Sequence, residues 1–402
     1  MKKAIALILA LTLCLGLAAC GASNTPAAPS HTNEPVHKIG VIVYNTGDEE
    51  VIGFREYLQG YIERSFEMVK FVYSDSIYTR EEELDFIRRA CDEGVEGFMS
   101  FLSQDLAAEV ALCEQNKAYY MLASGTVADA DFEAVADNPW FLGVFGPSTA
   151  LEYQAGAEMA RFFAERNAGD RYFILSGGAP VGNEMHYQRT LGILEALAAA
   201  YGVRYPAPGE DLAKTDKPVT LQLDRLTVTV CPGYVSREDA LEAARACYAD
   251  GEYDAVLSVL PPEEMADATG DTPMGVVDAY HTRNLQLFTG GKLRYCVGKY
   301  SSMVGPAFAL MLNAVTGHAA DFRSGGRAVR VVQGFWTSDS YDDYVAKYTL
   351  SSSDAKNAYS FDDLSRVIRL YNPGATLGDL VTLAEACSYF AVEARRSVRP
   401  SA

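Results

Sequence analysis

From Lys38 onward, short wholly apolar runs alternate with helical stretches that are apolar along one face, and this alternation limits what the chain can fold into. Ile39 to Tyr44 (IGVIVY), Val69 to Tyr73, Val95 to Phe101, Ala118 to Ala123 and Phe141 to Phe145 are short apolar runs that read as strands. Helices are expected between them at roughly 50–65 and 104–116, and around Leu84, Ile87 and Cys91, which share one face at spacings of three and four. Strands separated by helices of this length are βαβ units, which build a parallel sheet with right-handed crossovers.

The pattern then starts again. A helix over 148–166 carries Leu151, Ala155, Met159 and Phe162 on one face. Strands are expected at Tyr172 to Leu175, Leu226 to Val230, Ala255 to Leu260 and Met274 to Val277, with helices at about 185–200 and 236–250 between the first three. Arg294 to Val297 and Val329 to Gly334 read as further extended segments, with a helix at about 303–317 between them. The fold class is therefore α/β: two doubly wound parallel-sheet lobes joined by crossing segments, plus a mostly helical C-terminal extension. The first lobe is assigned 37–146 and 300–336, the second 147–299, and the extension 337–402, where Leu377, Leu380, Ala384, Cys387 and Ala391 form an apolar stripe suited to docking on the body. Two such lobes face each other across a cleft at the carboxyl ends of their strands, where loops vary and ligands bind.

The N-terminus is of another kind. Lys2 and Lys3 precede an uninterrupted apolar run, residues 4–17 (AIALILALTLCLGL), shorter than the ~20 residues that span a bilayer. Leu17-Ala18-Ala19-Cys20 follows and resembles the bacterial lipobox, which implies cleavage before Cys20 and acylation of its thiol, palmitate included. Gly21 to Val36 (GASNTPAAPSHTNEPV) is a polar tether with no core-forming pattern. The expected product is a lipoprotein whose signal segment (1–20, ending at the lipidated Cys20) is cut just before that cysteine, leaving Cys20 as the new N-terminus anchored to the extracytoplasmic face of the cell membrane without spanning it. No later segment is expected to cross a membrane.

The formal charge of −19 argues against nucleic acid and anionic lipid surfaces as partners. Cys91, Cys113, Cys231, Cys247, Cys296 and Cys387 are far apart and form no ligand spacing; one or two disulfides are compatible with an extracytoplasmic setting, without a pairing. His31, His37, His186, His281 and His318 form no cluster, and no nucleophile elbow, zinc-protease helix or phosphate loop occurs. The loop at Gly177-Gly178 reads as a βα turn. Trp140 and Trp336 are expected to pack. No cofactor, metal or catalytic residue is assigned, and the chain is read as a non-enzyme.

Taken in order, IGVIVYNTGDEEVIGFREYLQGYIE, VEGFMSF, FLGVFGPSTALEYQAGAEMARFF, RYFILSGGAPVGNEMHYQRTLGILEALAA, YDAVLSV, PMGVVDAY and GKLRYCVGKYSSMVGPAFALMLNAVTG resemble type I periplasmic solute-binding proteins of ABC importers, in the ribose and galactose branch. The resemblance covers about 38–335. It implies a type I periplasmic-binding-protein-like fold and a ligand site contributed by Tyr44, Asn45 and Thr46 after the first strand, Ser100 and Phe101 after the third, Ser124 after the fourth, and Arg189, Asp278 and Lys299 in the second lobe. Asp278 would accept hydrogen bonds from sugar hydroxyls, or would cap the segment after it. Two departures stand out. Ser124 occupies a position where the family usually has an aspartate, and Leu260-Pro261-Pro262 replaces a usual Asn-Asp. The function implied is capture of a small polar solute, most simply a sugar, for delivery to the transmembrane subunits of an ABC permease. The alternatives are a ligand-sensing receptor lipoprotein that partners a membrane signalling protein, with the extension as its docking element, and a binder of a nucleoside or other non-sugar metabolite.

Overall fold

The computed structural model describes residues 35–166, 169–178, 183–233, 238–351 and 358–397. Cys20 and nearly all of the tether lie outside the described residues. The first sheet is built from β1 (His37–Val43), β2 (Val69–Ser76), β3 (Val95–Ser100), β4 (Tyr119–Leu122), β5 (Phe141–Gly146) and β12 (Val329–Val332), in the order β12-β5-β4-β3-β1-β2. All its pairings are parallel. The second contains β6 (Arg171–Ser176), β7 (Val219–Leu223), β8 (Leu226–Pro232), β9 (Ala255–Ser258), β10 (Met274–Ala279), β11 (Leu293–Lys299) and β13 (Trp336–Ser338), in the order β13-β11-β10-β9-β6-β8-β7. Helices cover both faces, so central strands such as β5 and β10 are buried at every residue.

Only β7 and β13, the two edges of the second sheet, run antiparallel. Neither was expected from the sequence. β7 pairs with β8 across the two-residue turn Asp224-Arg225, and its Thr220 and Gln222 are exposed, so it lacks an apolar run. β13 is three residues long, and the expected start of the extension at 337 falls inside it.

The helices Thr149–Glu165 and Glu184–Tyr201 pack in backbone contact because Gly156 and Gly192 lack side chains. A Cβ on Gly156 would collide with the carbonyl of Arg189, and one on Gly192 with the carbonyl of Tyr153. One stretch departs from the membrane expectation. Ser301–Phe322 is long and apolar enough to cross a bilayer by length and composition, but it packs inside the first lobe, where every residue of Gly305–Asn313 is buried.

Three segments cross between the lobes: after β5, after β11, and from β12 to β13. Gln333, fully buried, ties them together. Its amide N–H donates to the carbonyl of Gly146 (3.0 Å), and its side-chain Nε2 donates to that of Met303 (3.0 Å). Trp336 stacks on Tyr300 at 4.0 Å between ring centroids.

The extension clasps this crossing. The carbonyl of Cys387 accepts from Trp336 Nε1 (2.8 Å) and from the Tyr300 hydroxyl (3.1 Å), and Gly334 N–H donates to its Sγ (3.2 Å). Helix Tyr341–Ser351 sits on the second lobe, where the Tyr344 hydroxyl bonds the backbone of His281. Residues 358–397 sit on the first, with Phe361 and Tyr371 against Phe66 and the carbonyl of Tyr359 accepting from Tyr57. The extension thus spans both lobes. Leu380, Ala384 and Cys387 of its stripe are buried; Leu377 and Ala391 are partly so. Among the described residues all six cysteines carry free thiols.

Candidate ligand-binding cleft

The carboxyl ends of the two sheets open on one cavity of about 590 Å3 between the lobes. That lies within the several-hundred-Å3 range of small-molecule sites. Tyr44 follows β1, Phe101 follows β3, Ser124 follows β4, Arg189 rises from the helix after β6, and Asp278 and Lys299 lie at the ends of β10 and β11; all line it.

Asn45 and Ser100 do not line it. The Asn45 side chain accepts from Gly47 N–H (3.0 Å), a turn-forming bond that faces it away from the cavity. Ser100 is fully buried and its hydroxyl donates to the carbonyl of Leu102 (2.6 Å), shaping the loop rather than facing its mouth. Thr46 is exposed and bonds Ser76.

Each buried charged group at the centre of the cavity is held by a partner. Arg189, 4% exposed, donates through Nε to Glu152 Oε2 at 2.6 Å and lies with its guanidinium 5.7 Å from the Phe335 ring centre. The other oxygen of Glu152 accepts from the Thr126 hydroxyl (2.9 Å), which ties the ion pair of the second lobe to the first. Lys299 reaches from the second lobe to Glu50 Oε1 (3.2 Å) and to the carbonyl of Ser124 (3.2 Å) in the first. Asp278 Oδ2 accepts from Asn284 Nδ2 (2.7 Å) and bonds His281 Nε2 (2.9 Å) at the head of helix Thr282–Thr289, so this carboxylate both lines the cavity and braces the segment after it. The hydroxyl of Ser124 is buried without a partner.

Several contributors carry no signal in the family pattern. Asp48 caps the helix Glu49–Arg55, accepting from Glu50 N–H at 2.8 Å, and the Tyr44 hydroxyl donates to it at 3.1 Å. Burial, then repulsion from Asp278 and Glu50, pushes its carboxyl up to about 7. Burial likewise raises Glu50, against the pull of Lys299. His186, one helical turn before Arg189, is pushed down to about 3, by burial first and then by Arg189 and Lys299, which keeps its imidazole neutral. Asp48 was legible as a helix cap, Asp-Glu-Glu after a turn; His186 was legible only as the i−3 neighbour of Arg189. Glu152 gave no sign, a carboxylate on the inner face of a helix.

Among the described residues, no three His, Cys, Asp or Glu side chains converge to hold a metal ion. A smaller cavity, about 300 Å3, lies on the far side of helix Glu49–Arg55 between Tyr57, Tyr61, Tyr280 and Tyr348.

With this geometry in view, the chain can be set beside known proteins. No family model matches the sequence, and no curated protein does. Solved structures do. A Mycobacterium smegmatis protein in complex with β-D-fucofuranose is 14% identical with a TM-score of 0.55, over 77% of this chain and 94% of that one. The periplasmic binding protein component of the arabinose ABC transporter of Shewanella sp. ANA-3, bound to α- and β-L-arabinofuranose, is 13% identical with a TM-score of 0.55, over 77% and 94%. An ABC transporter solute-binding protein from Bacillus halodurans C-125 with bound myo-inositol is 14% identical with a TM-score of 0.56, over 80% and 98%. The fold is that of the type I periplasmic binding proteins. The particular proteins that share it here bind sugars or inositol.

Proposed function

We propose that this chain is a membrane-anchored, extracytoplasmic solute-binding protein that captures a small polar solute, a sugar, in the interlobe cleft and delivers it to an ABC permease. One observation carries the reading: a single cavity of about 590 Å3 draws buried polar side chains from both lobes, among them Asp278 and Arg189. Buried hydrogen-bonding groups around a ringed polyol give orientation and selectivity, and the aromatic face of Phe101 suits the apolar face of a sugar ring. Work is done by differential affinity for one arrangement of the lobes, without bond chemistry.

Calorimetry against pentofuranoses, hexoses and inositols tests the capture. One member should bind at micromolar affinity or tighter; a panel with no binder defeats the reading. The anchor rests on the Leu-Ala-Ala-Cys sequence at 17–20. Cys20→Ala should abolish fatty-acid labelling in cells and release the protein from the membrane fraction. Delivery rests on the likeness to importer components, and uptake of the bound sugar should fail in cells lacking this chain.

A further inference from the structure

We infer that the cleft solute carries a protonated amine, an amino sugar rather than a neutral one. The inference deepens the solute-binding reading and rests on it. The two basic side chains in the cavity are both already engaged, Arg189 by Glu152 and Lys299 by Glu50. Two carboxylates facing the same space, Asp48 and Asp278, have no lysine or arginine in an ion pair with them among the described residues. Asp48 receives a phenol O–H from Tyr44 and backbone N–H groups, and Asp278 holds His281 and Asn284 through Oδ2 alone.

The two are close enough to repel each other, which a neutral ligand would leave uncorrected as it shut water out. An ammonium group set between them removes that repulsion and gains charge-assisted hydrogen bonds. A metal ion fits poorly, because no three ligating side chains converge among the described residues. A second, independent feature points to a ligand in the same place. Ser124 is 3% exposed, lines the cavity and has a buried hydroxyl with no partner, which a donor or acceptor on the solute would satisfy. Tyr44 and Phe101 add aromatic wall, which favours an organic cation over a hydrated one.

Tyr44, Glu50 and Asp278 act directly on Asp48, and Lys299, Arg189 and His186 of the second lobe line the same cavity. With its carboxyl at about 7, a cation must displace the Asp48 proton as it enters. Affinity for an amine should therefore rise as pH goes from about 5 to 7, with proton release where Asp48 titrates, and stop rising where the amino sugar's own ammonium loses its proton, near 8 as for an α-amino group, whereas a neutral polyol needs no such exchange.

The test is calorimetry on the full mature chain with glucosamine, galactosamine, their neutral parents glucose and galactose, and putrescine, in buffers of different ionisation enthalpy. The expected result is an amino sugar binding at least ten-fold tighter than its parent and releasing a proton near pH 7. Asp48→Asn, which keeps a side chain able to cap the helix, should weaken amine binding ten-fold or more and flatten its pH dependence, with Tm confirming the fold. Arg189→Lys, made in parallel, should weaken both sugar series alike and leave their ratio unchanged. A parent sugar that binds as tightly as its amine, without proton exchange, overturns the inference and leaves the solute-binding reading standing. Putrescine binding alone overturns the amino sugar, and with it the sugar reading, although a cation still enters the cleft. Silence from all five overturns the inference and leaves the solute-binding reading to the pentofuranose and inositol panel.

Discussion

Arg189 and Glu152 are almost wholly excluded from water, so each is the other's charge partner in place of solvent. Removing one partner of such a pair strands the second, at a cost of about 3–5 kcal/mol, while replacing both with apolar residues is often neutral. Glu152→Ala should therefore lower Tm sharply, and the double variant Glu152→Leu, Arg189→Met should recover most of the loss while abolishing solute binding; paired thermal melts read this directly.

A second buried group makes a statement about pH. Glu83 and Glu109 lie together behind the loop that follows β3, sharing Tyr120 and the Gln104 N–H. Burial, then Glu109, raises Glu83 from its ordinary 4.5 to about 9. Below pH 4.5 folded and unfolded chains both hold that proton. As pH climbs the unfolded chain loses it first, so stability falls until about 9 and then levels. Glu83→Gln keeps the hydrogen bonds without the proton. It should gain on the parent across that interval by at least about 1.4 kcal/mol, one unit's worth, in denaturant titrations at pH 5 and 9.

At the scale of elements, the glycine contact between helices Thr149–Glu165 and Glu184–Tyr201 sets where Arg189 points. Gly156→Ala forces the helices apart, and overpacking of this kind costs about 1–3 kcal/mol. Stability and solute affinity should fall together, because the shift carries Arg189 away from Glu152; unchanged affinity at lowered Tm would break that link. The buried parallel strands could be read from the chain because two covered faces demand unbroken apolar runs. β7 could not, since an exposed edge pairs through its backbone and leaves its side chains free to be polar. The cleft divided along a similar line. Asp278 and Lys299 end apolar runs and are fixed by strand geometry. Asn45 and Ser100 sit in loops whose own turn bonds decide where a side chain faces, and no periodicity reports that. The Arg189–Glu152 strut joins residues 37 apart along the chain and appears only when two helices meet.

For the whole molecule, the extension is part of the hinge region. Ending the chain at 357 would strip Phe361 and Tyr371 from Phe66 and leave Tyr300 and Trp336 without the Cys387 carbonyl. Such a chain should bind a hydrophobic dye strongly and melt well below the parent; an unchanged melting point would show that the clasp adds nothing. Crossing between lobes has another consequence. The edge strand β12 and the core helix Gly305–Asn313 of the first lobe are encoded after nearly all of the second. As the ribosome reads the message, β5 waits without its outer neighbour until the last quarter of the chain emerges. The lobe begun first is finished last, and its N-terminal half stays open throughout synthesis, the condition in which a polypeptide can still be threaded through a narrow channel.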